Sequence, residues 1–166
     1  MLKMKEEIVA HYFKTIEWVK KLENLSEIVW RTPIQKDKWT IAEIIGHFKV
    51  WDTFVLYQRL PYIFGEKELP KAPNTNEVNA ESAILSRKKA IEVTSAEFIK
   101  IRRNLITAII NLEDHLWCKE FYIGSSKYTL QRYFRGQIEH DLHHFEQVRC
   151  LLEKKGSFVD GKLTMD

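Results

Sequence analysis

The chain has 166 residues, enough for one domain with a substantial core, and its 45% hydrophobic and 12% aromatic content excludes a disordered protein. A formal charge of +3 and a pI near 8.8 are too mild to indicate a nucleic-acid partner. Cys118 and Cys150 form no CxxC and suggest no disulfide framework, and no apolar run is long enough to span a bilayer or serve as a signal peptide, so a soluble cytoplasmic protein without a membrane partner is expected.

Residues 5–23 carry Ile8, Val9, Tyr12, Phe13, Ile16, Val19 and Leu22 at helical spacing, with Lys and Glu between them, and predict a first amphipathic helix. Residues 24–38, interrupted by Pro33, form a connection from which Trp30 packs inward. The second helix has an unusually complete start signal. Thr40 and Glu43 make a capping box, and Trp39 and Ile44 occupy the positions of a hydrophobic staple. This helix is expected to run through Phe48, Trp51 and Val55 to about Tyr62. A polar loop over 66–76, with Pro70 and Pro73, follows.

Residues 79–111 are helical in composition throughout, but one helix of that length would be about 50 Å long. The second capping box at Thr94-Ser95-Ala96-Glu97 places a break there, giving a short helix to Glu92 and a longer one to Leu112. The basic runs Arg87-Lys88-Lys89 and Arg102-Arg103 share these segments with Glu81, Glu92 and Glu97 and read as solvated faces. Gly124 to Ser126 punctuate the last connection, where 120–126 carries a weak extended-chain signal. Thr129 then caps a helix from Leu130 to about Lys154, stopped by Gly156. Four long helices in a single domain, 1–166, indicate an all-α four-helix bundle with an extra short helix between the second and third.

The last helix carries His140 and His144, four residues apart and therefore on one face. With His140 as zero and about 100° per residue, Leu130, Phe134, Phe145, Val148, Leu151 and Leu152 fall between roughly 20° and 140°. His144 falls at about 40°, inside that apolar sector, whereas His143 falls near 300° beside Glu139 and Cys150. On the second helix His47 sits at the edge of the stripe of Ile44, Phe48, Trp51, Val55 and Tyr62. Bundles build metal sites from side chains on facing helices, so His47, His140 and His144 are candidate ligands of one ion. The bland alternative is three core-edge histidines that merely hydrogen-bond their neighbours. His11, on a charged helix, and His115, near a helix end, are not ligand candidates. Glu43 is accounted for by its capping box, and Gln137 and Gln147 line the last helix.

Three stretches carry a resemblance over nearly the whole chain: residues 38–47, KWTIAEIIGH, with Trp51 and Asp52 following; residues 79–81, NAE; and residues 140–144, HDLHH, with Gln147. In their order and separation the sequence resembles the DinB/YfiT-like superfamily of small bacterial four-helix proteins. The resemblance implies a mirror variant of up-and-down bundle topology. It also implies a divalent metal, most often zinc or nickel, on His47, His140 and His144. Members of that superfamily include thiol-dependent S-transferases and isomerases that use low-molecular-weight thiols such as bacillithiol or mycothiol, and others labelled as metal-dependent hydrolases.

Three neutral imidazoles leave an ion its full charge and an open position for a water or a thiolate, which is the catalytic pattern for zinc. The expected function is a metal-dependent hydrolase or thiol S-transferase acting on a small electrophilic molecule. The alternative is a non-catalytic metal-binding bundle serving as a stress-response scaffold. Asp52, Glu43 and Tyr133 are candidates to reach the pocket, but none is a secure general base, and Arg132 and Arg135 do not point clearly at the site. Homodimerisation is common for such bundles, although no stripe of this chain identifies a surface.

Overall fold

Thr40 decides where the second long helix begins, and the capping box forms in full. The Glu43 amide donates to Thr40 Oγ1 (3.2 Å), and the Thr40 amide donates to Glu43 Oε2 (2.6 Å). Two orphan N–H groups of the first turn are thereby satisfied, and the helix starts at one defined residue. A computed structural model of the protein describes residues 2–65 and 68–156. Its helices are α1 (Leu2–Leu22), α2 (Glu27–Trp30), α3 (Ile41–Phe54), α4 (Thr75–Ser86), α5 (Ile91–Ile110) and α6 (Leu130–Lys154). The bundle is made of α1, α3, α5 and α6, with α3 lying against both α4 and α5, and α1 against α5 and α6.

The predicted stripe of α1 is buried at Ile8, Tyr12, Ile16, Val19 and Leu22, whereas Phe13 stays half exposed. Trp30, from the single-turn α2, is fully buried, as its sequence position indicated. From α6 the core receives Leu130, Phe134, Phe145, Val148, Leu151 and Leu152. Each such side chain withdrawn from water contributes about 1.5–3 kcal/mol, offset by the entropy of ordering the chain.

Three expectations need correction. The 79–111 segment breaks at 87–90, not at Thr94. Arg31 makes that break tenable, because its guanidinium donates to the carbonyls of Arg87 (2.6 Å) and Lys89 (2.9 Å), which the ending helix leaves open. Thr94 lies within α5 with its hydroxyl on the Ala90 carbonyl, and Glu97 pairs with Lys89 (2.6 Å) instead of capping. The short helix also starts earlier than expected, since Asn74 caps it through the amides of Asn76 and Glu77. Secondly, the helix begun at Thr40 does not run regularly to Tyr62. It changes to a π turn over Val55–Arg59, closed by the Leu60 amide on the Val55 carbonyl (2.9 Å). Of the loop that follows, Glu66 and Lys67 lie outside the described residues. Thirdly, Arg102 is not on a solvated face but is buried, with 1% of its surface exposed.

Between α5 and α6 a 3₁₀ turn (Asp114–Cys118) leads into a hairpin of β1 (Phe121–Ile123) and β2 (Ser126–Tyr128), paired antiparallel with Phe121 opposite Tyr128. Gly124, at φ +59°, supplies the left-handed residue of its tight turn. Thr129 caps α6 through the Arg132 amide (3.3 Å). At Gly46 an added Cβ would stand 1.8 Å from Ser86 Oγ, so only glycine lets α4 pack this closely on α3.

Candidate metal centre

His47 on α3 and His140 and His144 on α6 come together. One potential ligand nitrogen from each lies within 4.8 Å of the others. Ring centroids are 5.2 Å apart for His47 and His140, 4.6 Å for His47 and His144, and 4.8 Å for His140 and His144. His47 Nε2 and His140 Nε2 are 3.4 Å apart. Two nitrogens about 2.0–2.1 Å from one tetrahedral ion stand roughly 3.3–3.4 Å from each other, so this pair already has the spacing of a shared ion.

Two hydrogen bonds fix which nitrogens face inward. His47 Nδ1 lies 2.5 Å from the Ile44 carbonyl, which only accepts, so Nδ1 carries the proton and Nε2 keeps its lone pair. His144 Nδ1 lies 2.9 Å from Gln147 Oε1, and the same reasoning frees its Nε2. The Gln147 amide in turn donates to His143 Nε2 (3.1 Å), which sets the amide's orientation. His143 therefore stays outside the triad but supports it. Orienting partners of this kind are what a ligating histidine needs.

Burial keeps the rings neutral. It pushes the His47 imidazole down to about 3, with His144 adding to the effect, and pushes His144 down to about 4, with His140 adding to the effect. His140 is also lowered, chiefly by desolvation, although it is the exposed member of the three. At neutral pH three lone pairs are thus available without competition from protons. Trp39 stacks on His144 (5.9 Å, 20°) and leans against His47 (4.9 Å), while Phe48 sets its ring against all three imidazoles. The cluster is closed by aromatic walls on two sides and open at His140.

Beneath Phe48 lies a buried ionic node that the sequence reading missed. Arg102 Nε donates to Asp52 Oδ2 (2.6 Å), while its Nη1 and Nη2 donate to Asp141 Oδ2 (2.5 Å) and Oδ1 (3.3 Å). His11 Nε2 meets Asp141 Oδ2 at 3.0 Å. The guanidinium packs between the rings of Tyr12 (4.5 Å) and Phe98 (4.9 Å), with Phe48 at 5.8 Å. α1, α3, α5 and α6 each contribute a member. Burial works to raise the Asp141 carboxyl, but Arg102 and His11 outweigh it and hold it near 2. Burial instead dominates at Asp52 and raises it to about 7 against the pull of Arg102.

The signal for this node was present. With Phe98 as zero, Arg102 falls at about 40° on α5, among Ile91, Leu105 and Ile109. His11 falls about 20° beyond Leu22, at the edge of the stripe of α1 and on the side of the buried Trp18. The residues considered as general bases are committed elsewhere: Asp52 to Arg102, Glu43 to Thr40 and Arg87, and Tyr133 to Arg59. His115 is exposed beside Glu113, and Arg132 donates to the Lys127 carbonyl, away from the triad.

Fold and site together define a four-helix bundle whose inner face presents three imidazoles able to hold a metal ion. A model of the DinB superfamily matches residues 15–148, and the chain belongs to that superfamily. Among solved structures it is similar to one described as "YfiT from Bacillus subtilis is a probable metal-dependent hydrolase with an unusual four-helix bundle topology". The two are 15% identical, with a TM-score of 0.77 over 92% of this chain and 87% of the other, which establishes the shared fold. No curated protein matches the sequence.

Proposed function

We propose that the protein is a divalent-metal-dependent enzyme acting on a small electrophilic molecule, with water or a low-molecular-weight thiol as the attacking reactant. The observation that carries this reading is the convergence of three neutral imidazoles, two of them with Nδ1 engaged by the chain, around a point that opens at His140. The residues fit a metal such as zinc or nickel, because the donor set is all nitrogen and one pair already has the separation of ligands sharing an ion. When bound, the ion supplies Lewis-acid activation of water, a thiol or the electrophile. His47, His140 and His144 hold it, the Ile44 carbonyl and Gln147 orient two of the rings, and Trp39 and Phe48 keep bulk water from two sides. The similarity to YfiT, described as a probable metal-dependent hydrolase, supports hydrolysis as the first reaction to assay.

Elemental analysis of untagged protein should find about one divalent ion per chain, lost in His47→Ala and in His144→Ala. Full metal content in both variants would overturn the reading. Activity is then assayed on a panel of reactive esters and epoxides, with and without a thiol.

A further inference from the structure

Two arginines of this chain are almost fully buried, and they are treated differently. Arg102 is neutralised by two carboxylates. Arg59, 4% exposed, has no carboxylate partner among the described residues. Its guanidinium donates to the Pro70 carbonyl, lies 4.7 Å over the ring of Phe54 and sits beside the Tyr133 side chain. A buried cation that meets only neutral acceptors among the described residues keeps part of its desolvation cost, and an incoming anion would relieve it.

The backbone is irregular at the same place. Arg59 closes the π turn Val55–Arg59, an arrangement that shifts the register of the side chains beyond it and that recurs at functional sites. The partner residue lies on the helix that supplies two of the three histidines. Tyr133 precedes His140 by seven residues, about 10 Å along α6 on one helix face. Between them on that face is Gly136, where an added Cβ would meet no atom within 4 Å. Gln137 flanks this stretch on its other side, so it is the Gly136 side of α6 between Tyr133 and His140 that carries no side chain.

We propose that Arg59 and Tyr133 form a receptor for an anionic group, a carboxylate or a phosphate, on the molecule whose reactive end meets the histidine triad. The inference rests on the proposed metal-dependent reaction for its second half only, since the anion site is built from other residues. A guanidinium and a phenolic hydroxyl together offer charge-assisted donors of the kind that hold carboxylates and phosphates. An uncompensated metal ion at an all-imidazole site draws the same class of ligand. The Pro70 carbonyl occupies one of the guanidinium donors and would give way to the anion.

The test uses metal-stripped full-length protein, so that an ion at the triad cannot itself bind the probe. Inorganic phosphate and succinate are titrated against chloride at equal ionic strength, with thermal unfolding and calorimetry as readouts. Wild type should show a saturable rise in melting temperature with at least one of the two anions, and which one distinguishes phosphate from carboxylate. Arg59→Gln should lose the response, and Tyr133→Phe should weaken it about tenfold while remaining folded. His47→Ala should keep it, so loss of the metal reading would leave this result standing. No saturable response in wild type to either anion overturns the proposal, as does an equal response in Arg59→Gln. Should Arg59→Gln fail to fold, an undiminished response in Tyr133→Phe overturns it equally.

Discussion

Gln147 does more for the triad than its unremarkable place on α6 suggests. Its amide oxygen receives the His144 Nδ1 proton while its NH₂ is held by His143, so one side chain fixes both the tautomer and the direction of a candidate ligand. Loss of such a partner costs about 10–100-fold in metal affinity. If the triad holds the proposed divalent ion, Gln147→Leu is expected to weaken its binding by that factor in a chelator competition, with unfolding in the absence of metal little changed. The imidazoles also set an acid limit. His47 and His144 carry pKa values near 3 and 4 in the folded chain against 6.5 for an ordinary histidine, so the unfolded chain binds more protons below pH 6.5. Metal-free stability should be fully present above that value and fall progressively as pH drops towards 3. Urea midpoints measured from pH 8 to pH 4 check this, and His47→Gln should flatten the slope. The three ligand candidates were legible because helical periodicity separates His144 from His143 at a glance. The orienting amide was not, since a glutamine on a helix has no sequence signature of the partner it turns towards.

At the level of elements, the two helix starts at Thr40 and Thr129 could be read directly, because capping chemistry is local to four residues. The break between α4 and α5 could not. It depends on Arg31, a residue about 56 positions upstream of the carbonyls it satisfies, and a second capping box at Thr94 offered a plausible but unused alternative. The π turn after Phe54 was equally hidden, since the apolar periodicity through Val55 looks the same in either winding. How closely α3 and α4 approach is settled by Gly46. Gly46→Ala would force its Cβ against Ser86, and is expected to cost about 1–3 kcal/mol in equilibrium unfolding. Ser86→Gly in the same chain should recover most of that loss, whereas an unrelated cause for the destabilisation would leave the double variant no better than the single.

Across the whole molecule, the node of His11, Asp52, Arg102 and Asp141 joins all four long helices just beneath the triad. Arg102→Met strands two buried carboxylates and should destabilise by about 3–5 kcal/mol, measured by urea titration at neutral pH. Replacing all three charged members with apolar residues of similar volume should cost far less than the single change. The bundle architecture was evident from four amphipathic segments, but its ionic centre was not. A pair such as Arg102-Arg103 looks like solvated surface until the stripe of α5 is drawn through it, and the carboxylates that neutralise it come from other helices.

One local detail of α6 governs more than its neighbourhood. Successive residues look in different directions: His140 turns to the open cluster, and Asp141 turns inward to Arg102. The aspartate thus acts as a key that lets the helix seat at a single azimuth. Removing one residue from the first two turns of α6 would rotate everything beyond it by about 100° relative to the hairpin. The chain would then have to choose between seating the carboxylate and keeping the connection to β2 unstrained, so the edge that carries the histidine triad is indexed by a charge that never touches it.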